Sequence, residues 1–244
     1  MSSGRTAEHT RSNHGERGGE RVESRLSGIE RRETLRYLQY RGGTLGPEIA
    51  AALDRGEQKL LETARPRTVW RLFEREADGR LAGTDFTPEG RDVAALLTDC
   101  DQVILMAATL GTEAERLLRQ AQARDMAEAV ILDAAGSAAI ESVCDALCDE
   151  LAARFKPRYL TERFSPGYGD MPLKQQRALC RVLSLERSIG VSLTESGLMI
   201  PQKSVTALIG VSDRPQPRRP RGCETCAARE TCTYRKEGTD CGKG

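Results

Sequence analysis

The chain has 244 residues, 39% of them hydrophobic, and this size predicts one globular domain with extensions rather than two full-size domains. Its 37 lysine and arginine residues nearly balance its 36 aspartate and glutamate residues, and the net charge of +1 argues against nucleic acid or a membrane as the partner. No apolar run approaches the roughly 20 residues that span a bilayer, and residues 1–25 contain no signal-peptide core, so a cytoplasmic location is expected.

Residues 1–27 are rich in Gly, Ser, Arg and Glu and almost free of apolar side chains, which predicts a disordered arm. Both histidines, His9 and His14, lie in this segment. A Ser-His-Asp or Cys-His nucleophile and a zinc site with histidine ligands are therefore excluded from the folded part.

Residues 28–213 are predicted to form a single α+β domain, in which helices pack on a mostly antiparallel twisted sheet. Helices and strands do not alternate regularly, and no glycine-rich phosphate loop occurs, which argues against a parallel doubly wound sheet. The predicted helices, in chain order, cover 30–41, 47–61, 93–97, 112–124, 126–155 and 174–189. The predicted strands cover 67–73, 102–107, 191–199 and 204–212, and the last two are expected to form a hairpin around Pro201.

The longest predicted helix, 126–155, is expected to be central to the core. Its apolar and small positions are Val130, Ile131, Ala134, Ala138, Ile140, Val143 and Leu147. Cys144 and Cys148 lie one helical turn apart among these positions, so buried thiols are favoured over a chelating pair.

The stretch from Arg163 to Asp170 is the most site-like part of this domain. Gly167 and Gly169 allow the backbone to turn and to approach a ligand, and Tyr168 offers a flat face for stacking. Arg163 can hold a carboxylate through two hydrogen bonds, and Asp170 can take a cation. The residues alone leave open that this is only a connection between helices.

Several short motifs in this order resemble the S-adenosylmethionine-binding reactivation domain of cobalamin-dependent methionine synthase. They are Arg163-x-x-Pro166-Gly167-Tyr168 with Pro172, then Leu193-Thr194-Glu195-Ser196, Met199-x-Pro201 and Ser204-Val205-Thr206. A weaker likeness extends back to about Glu30. The resemblance implies that Arg163, Pro166, Gly167 and Tyr168 bind S-adenosylmethionine and that Glu141, on the long helix, faces the ligand's ammonium group.

The resemblance also implies a function, the reductive reactivation of a corrinoid-dependent methyltransferase by methyl transfer from S-adenosylmethionine. The chain has no D-x-H-x-x-G motif, the cobalt-ligand signature of corrinoid carriers, so the cobalamin is expected on a partner protein. Ala207, Leu208 and Ile209 follow the last motif where the family usually has an aromatic pair. Two alternatives stay open: a non-enzymatic binding or scaffold subunit of a corrinoid methyltransferase system, and a zinc-stabilised adaptor.

The composition changes after Asp213, where an Arg- and Pro-rich linker, 214–222, leads to a cysteine-rich C-terminal extension, 223–244. The candidate metal ligands are Cys223, Cys226, Cys232 and Cys241. Without a nearby histidine they predict a thiolate-only site, a [4Fe-4S] cluster or zinc, although a loose tail is also open. The iron-sulfur cluster is favoured because reactivation requires an electron, from the cluster or from a separate electron donor.

Overall fold

A single five-stranded antiparallel sheet organises the computed structural model, which describes residues 20–23, 26–40 and 43–216. The helices are α1 Arg31–Tyr37, α2 Pro47–Thr63, α3 Arg91–Leu96, α4 Thr112–Arg124, α5 Met126–Arg154, α6 Gln175–Val182 and α7 Leu185–Ile189. The strands are β1 Glu20–Glu23, β2 Arg67–Glu74, β3 Gln102–Thr109, β4 Tyr159–Leu160, β5 Ser192–Leu193, β6 Met199–Ile200 and β7 Ser204–Ser212. Among the described residues, no helix is long and apolar enough to cross a membrane.

The large sheet has the order β1-β2-β3-β7-β4, and each neighbouring pair is antiparallel. Its central strand β3 is buried on both faces, because Ile104 and Met106 face one hydrophobic cluster while Val103 and Leu105 face another. A strand covered on both sides needs a continuous apolar run, which is how this segment reads in the sequence. The α+β class with a mostly antiparallel sheet is confirmed.

Helices cover both faces of the sheet. Helix α5 packs on one face together with α2 and α4, and α3, α6 and α7 contribute side chains to the cluster on the other face. The buried positions of α5 include Leu132, Val143, Leu147 and Leu151, which recur at helical spacing. Val130 lies off this stripe and is 52% exposed, so its predicted place in the core is wrong.

Three segments differ from the sequence predictions. The helix predicted over 174–189 is split into α6 and α7 at Ser184, whose φ of +51° is left-handed. Strand β7 does not form a hairpin with the preceding segment; it pairs with β3 and β4, while β5 pairs with β6 in a separate two-stranded sheet. The apolar run of β7 is buried between β3 and β4, on a strand that helices cover on both faces, as a continuous apolar run requires.

The expectation of disorder over 1–27 does not hold for Glu20–Glu23, which form the edge strand β1 against β2. The sequence gives little sign of this strand because its residues are mostly charged. Charged edge strands are common, since charge discourages pairing with another chain.

Candidate ligand-binding site

The site begins where the chain leaves β4 and runs along the outer edge of β7. The Phe164 N–H donates to the Leu208 carbonyl at 2.9 Å, and the Leu208 N–H donates back to the Phe164 carbonyl at 2.8 Å. Thr161 is fixed in a similar way, because its N–H donates to the Gly210 carbonyl and its Oγ1 accepts from the Gly210 N–H. Arg163 is thus held between two anchored residues at the edge of the sheet.

The following turn needs its glycines. Gly167 has a φ of +91° and donates its N–H to the Met171 carbonyl at 2.9 Å. Gly169 has a φ of +52°, and a Cβ there would lie 3.2 Å from the Phe164 ring. Pro166 is buried beneath the turn, and Tyr168 at its tip is 69% exposed. The turn therefore presents the Tyr168 ring to solvent on a defined backbone.

Asp170 closes the turn and pairs with a cation of the chain itself, because Arg91 Nε lies 3.4 Å from its Oδ2. Its two carboxylate oxygens accept hydrogen bonds from the Arg91 and Asp92 backbone N–H groups, at 2.9 and 3.0 Å, where α3 begins. These backbone hydrogen bonds lower the pKa of Asp170 below its ordinary value. The carboxylate fastens the loop to the helix.

This contact predicts a pH-dependent contribution to stability. Because the folded-state pKa of Asp170 is depressed, its contribution is present above the ordinary value near 3.8 and is lost as the pH falls through the lower folded-state value. Asp170→Asn should lower the melting temperature at pH 7, and the difference from wild type should shrink below about pH 4. Thermal unfolding from pH 7 to pH 3 measures this, with the exposed Asp149→Asn as the charge-matched control. A difference that stayed constant with pH would contradict the assignment.

Arg163 reaches from the loop to α5 and binds two carboxylates. Its Nη2 lies 2.5 Å from Glu141 Oε2, and its Nη1 pairs with Asp145 Oδ1 and lies 3.8 Å from Cys148 Sγ. The structure thus brings together Arg163 and Glu141, two of the residues predicted for the site. Asp145 was missed, although its place one helical turn after Glu141 puts it on the same face.

Burial and charge act in opposite directions on Arg163. Burial favours the neutral guanidinium, but the hydrogen bond to Asp145 and the negative charge around it outweigh this effect and raise the pKa of Arg163. The Arg163 cation is therefore permanent. Together with Glu141 and Asp145 it places one positive and two negative charges on this surface, a combination suited to an α-amino acid group, which carries both an ammonium and a carboxylate.

Cys144 is buried and Cys148 is half-buried beneath Arg163, and burial raises the pKa of both thiols. Neither cysteine forms a disulfide; Cys144 is buried as predicted, whereas Cys148 is only partly so. In the described part of the chain, no group of three or more His, Cys, Asp or Glu residues could hold a metal ion. The predicted metal ligands Cys223, Cys226, Cys232 and Cys241 lie outside the described residues.

The last motif segment is part of the sheet. Ser204 Oγ donates to the Pro201 carbonyl at 2.7 Å and lies 2.8 Å from Thr109 Oγ1, a hydroxyl pair that joins the start of β7 to the end of β3. The residues that stand in place of the family's aromatic pair are Ala207, Leu208 and Ile209, all at most 1% exposed. They fill the two cores and present no side chain at the surface.

Comparison with known proteins identifies the family. The model of the family described as "Vitamin B12 dependent methionine synthase, activation domain" matches residues 93–216, which include α5, the Arg163 loop and β7. The fold is similar to a solved structure described as "Crystal Structure of the MetH Reactivation Domain bound to AdoHcy", with a TM-score of 0.62 and 17% identity over 91% of this chain and 86% of that one. No curated protein sequence matches. This chain belongs to the family of activation domains of vitamin B12 dependent methionine synthase.

Proposed function

We propose that this chain binds S-adenosylmethionine at the Arg163 loop and transfers its methyl group to the cobalamin of a separate corrinoid protein, which restores that protein to activity. The observation that carries the proposal is the meeting of Arg163 with Glu141 and Asp145 beside the exposed Tyr168. Membership of the activation-domain family supports it, and so does the likeness to a reactivation domain bound to AdoHcy.

Each residue of the loop has a role in this proposal. Arg163 binds the carboxylate of the ligand's amino acid group, and Glu141 faces its ammonium group. Tyr168 stacks its exposed ring against the ligand, and the turn at Pro166 and Gly167 lets the backbone approach closely. The zwitterionic amino acid end is thereby held at both of its charges, which orients the sulfonium methyl group.

The protein supplies position rather than reactive groups. When bound, S-adenosylmethionine would supply a methyl cation and leave as the neutral thioether S-adenosylhomocysteine, and a corrinoid on the partner, reduced by one electron from a donor, would be the acceptor. No described residue has to exchange a proton in this step. The task of this chain is to fix the methyl group against the partner's cobalt, and misplacement by about 1 Å can cost on the order of a hundredfold in rate.

The test is reconstitution with an inactive, oxidised corrinoid methyltransferase, a chemical reductant and S-adenosylmethionine. The expected result is one S-adenosylhomocysteine released per corrinoid, together with recovery of methyltransferase activity, only when this chain is present. Binding to the corrinoid protein without binding of S-adenosylmethionine would favour the scaffold alternative, in which the methyl-donor pocket has decayed. The absence of the aromatic pair at Ala207, Leu208 and Ile209 is the observation that supports this alternative.

We further propose that the C-terminal cysteines hold one metal centre, a [4Fe-4S] cluster in preference to zinc. The support is their spacing, with Cys223 and Cys226 as a C-x-x-C pair and Cys232 and Cys241 completing a thiolate set. Nearby cations such as Arg229 and Lys236 favour thiolates. A cluster here would give the electron for reactivation a route through this chain.

Anaerobic purification followed by iron, sulfide and zinc analysis tests this centre. Four irons per chain are expected for the cluster, and Cys226→Ser should lose them while S-adenosylmethionine still binds. Cys180→Ser, a half-buried free thiol of α6, is the matched control and should keep the metal. One zinc and no iron would make the centre structural, and no metal would reject it.

A further inference from the structure

The guanidinium of Arg163 is engaged by acidic side chains of its own chain. Its two terminal nitrogens are paired with the carboxylates of Glu141 and Asp145, and Nη1 also lies against Cys148 Sγ. A carboxylate that binds end-on to an arginine, with one oxygen on each terminal nitrogen, needs these same two nitrogens. A ligand carboxylate that binds in this end-on manner therefore replaces at least one of the two acidic residues.

The two acidic partners differ in how firmly they are held. The Glu141 side chain is 35% exposed, so about two thirds of it is packed against the protein. The Asp145 side chain is 66% exposed. Since release of an exposed carboxylate into water costs little, Asp145 is the partner that exchanges.

We propose that Asp145 occupies the carboxylate position of the ligand-free site, so that the ligand's carboxylate must displace it from Arg163. This inference rests on the proposed function and specifies its regulation. Asp145, on α5, thus competes with the ligand for Arg163. Glu141 stays paired with Arg163 and continues to balance its positive charge.

The pairing of Asp145 with Arg163 has two consequences. Arg163 is never left as an unpaired, largely buried cation, which would be costly in the absence of ligand. The apparent affinity for a carboxylate ligand is reduced by the fraction of molecules in which Asp145 is bound to Arg163. A ligand without a carboxylate would not compete with Asp145. The pairing therefore lowers the affinity only for ligands that carry a carboxylate.

The experiment measures calorimetric dissociation constants of the full chain for S-adenosylhomocysteine and for 5′-methylthioadenosine, which lacks the amino acid group. Asp145→Asn and Asp145→Ser should bind S-adenosylhomocysteine about three- to fivefold more tightly than wild type, the scale of an exposed ion pair. Their affinity for 5′-methylthioadenosine should be unchanged. Asp149→Asn, an exposed aspartate on the next turn of the same helix, controls for the loss of a negative charge.

The outcomes separate this inference from the proposed function. Tighter binding of S-adenosylhomocysteine by the Asp145 variants alone supports it, as would binding by the variants where wild type shows none. Equal or weaker binding by variants that melt like wild type would overturn it and leave the proposed function standing, because Asp145 would then be neutral or would contact the ligand's ammonium. Absence of binding by every protein would overturn both.

Discussion

Arg163→Ala is expected to weaken binding of S-adenosylhomocysteine by tenfold or more. A hydrogen bond to a charged group contributes on the order of 1.5–3 kcal/mol, and about 1.4 kcal/mol corresponds to a factor of ten. Removing the guanidinium also leaves Glu141 and Asp145 without their shared counterion, so they would repel the ligand's carboxylate. Equilibrium dialysis of the variant and wild type with labelled S-adenosylhomocysteine measures the effect.

Arg91→Ala is the control for this substitution. Arg91 lies beside the same loop, where it forms an exposed ion pair with Asp170 at 3.4 Å, and its side chain is 97% exposed. It should change the affinity by less than about twofold, since exposed pairs contribute little. If both alanine variants bound S-adenosylhomocysteine like wild type, Arg163 would have no role in the ligand site. If both weakened binding equally, the effect would come from the loss of any positive charge and not from Arg163 itself.

Gly210→Ala is expected to lower the free energy of unfolding by about 1–3 kcal/mol, the usual cost of overpacking a core. Gly210 lies in β7 where the loop that precedes Arg163 is anchored. A Cβ at this position would lie 2.5 Å from Cys100 Sγ, 2.8 Å from Leu97 Cδ2 and 3.0 Å from Thr161 Cγ2. The strand or its neighbours would have to shift, which would disturb the two hydrogen bonds between Thr161 and the backbone of residue 210. Urea unfolding measures the loss.

Two further variants sharpen that experiment. Gly28→Ala, where a Cβ would meet nothing within 4 Å, should leave stability nearly unchanged. In a Cys100→Ala background, the cost of Gly210→Ala should be smaller because the nearest clashing atom is gone, and a double-mutant cycle isolates this coupling. Additive losses in the cycle would show that the sulfur is not the source of the strain.

The parts of the fold that were predictable are those with strong periodicity. The apolar run of β3 and the long pattern of α5 correspond closely to the elements observed. Pairing was not predictable in the same way, because β7 joins the sheet beside β3 through contacts distant in sequence. The break at Ser184 was also missed, since a left-handed serine has no reliable signal when the residues around it are typical of a helix.

The site was partly predictable. The family motif predicts that Arg163 and its loop bind a ligand, and position on the long helix predicts Glu141. The structure places Glu141 in contact with Arg163, and their role in binding stays a prediction. Asp145 required the structure, because an acidic residue on an exposed helix face usually has no special role. For Asp170 the sequence predicts a cation partner, but its two backbone donors at the start of α3 come from a segment distant in sequence and were not predictable.

The central claim is that the Arg163 loop binds S-adenosylmethionine, because the proposed methyl transfer depends on it. Calorimetric titration of the wild-type chain with S-adenosylhomocysteine tests this claim most directly. The account predicts one ligand bound per chain, with the affinity reduced tenfold or more in Arg163→Ala and unchanged in Arg91→Ala. Failure of S-adenosylhomocysteine to bind the folded wild-type chain at millimolar concentration, or binding indifferent to Arg163, would contradict it.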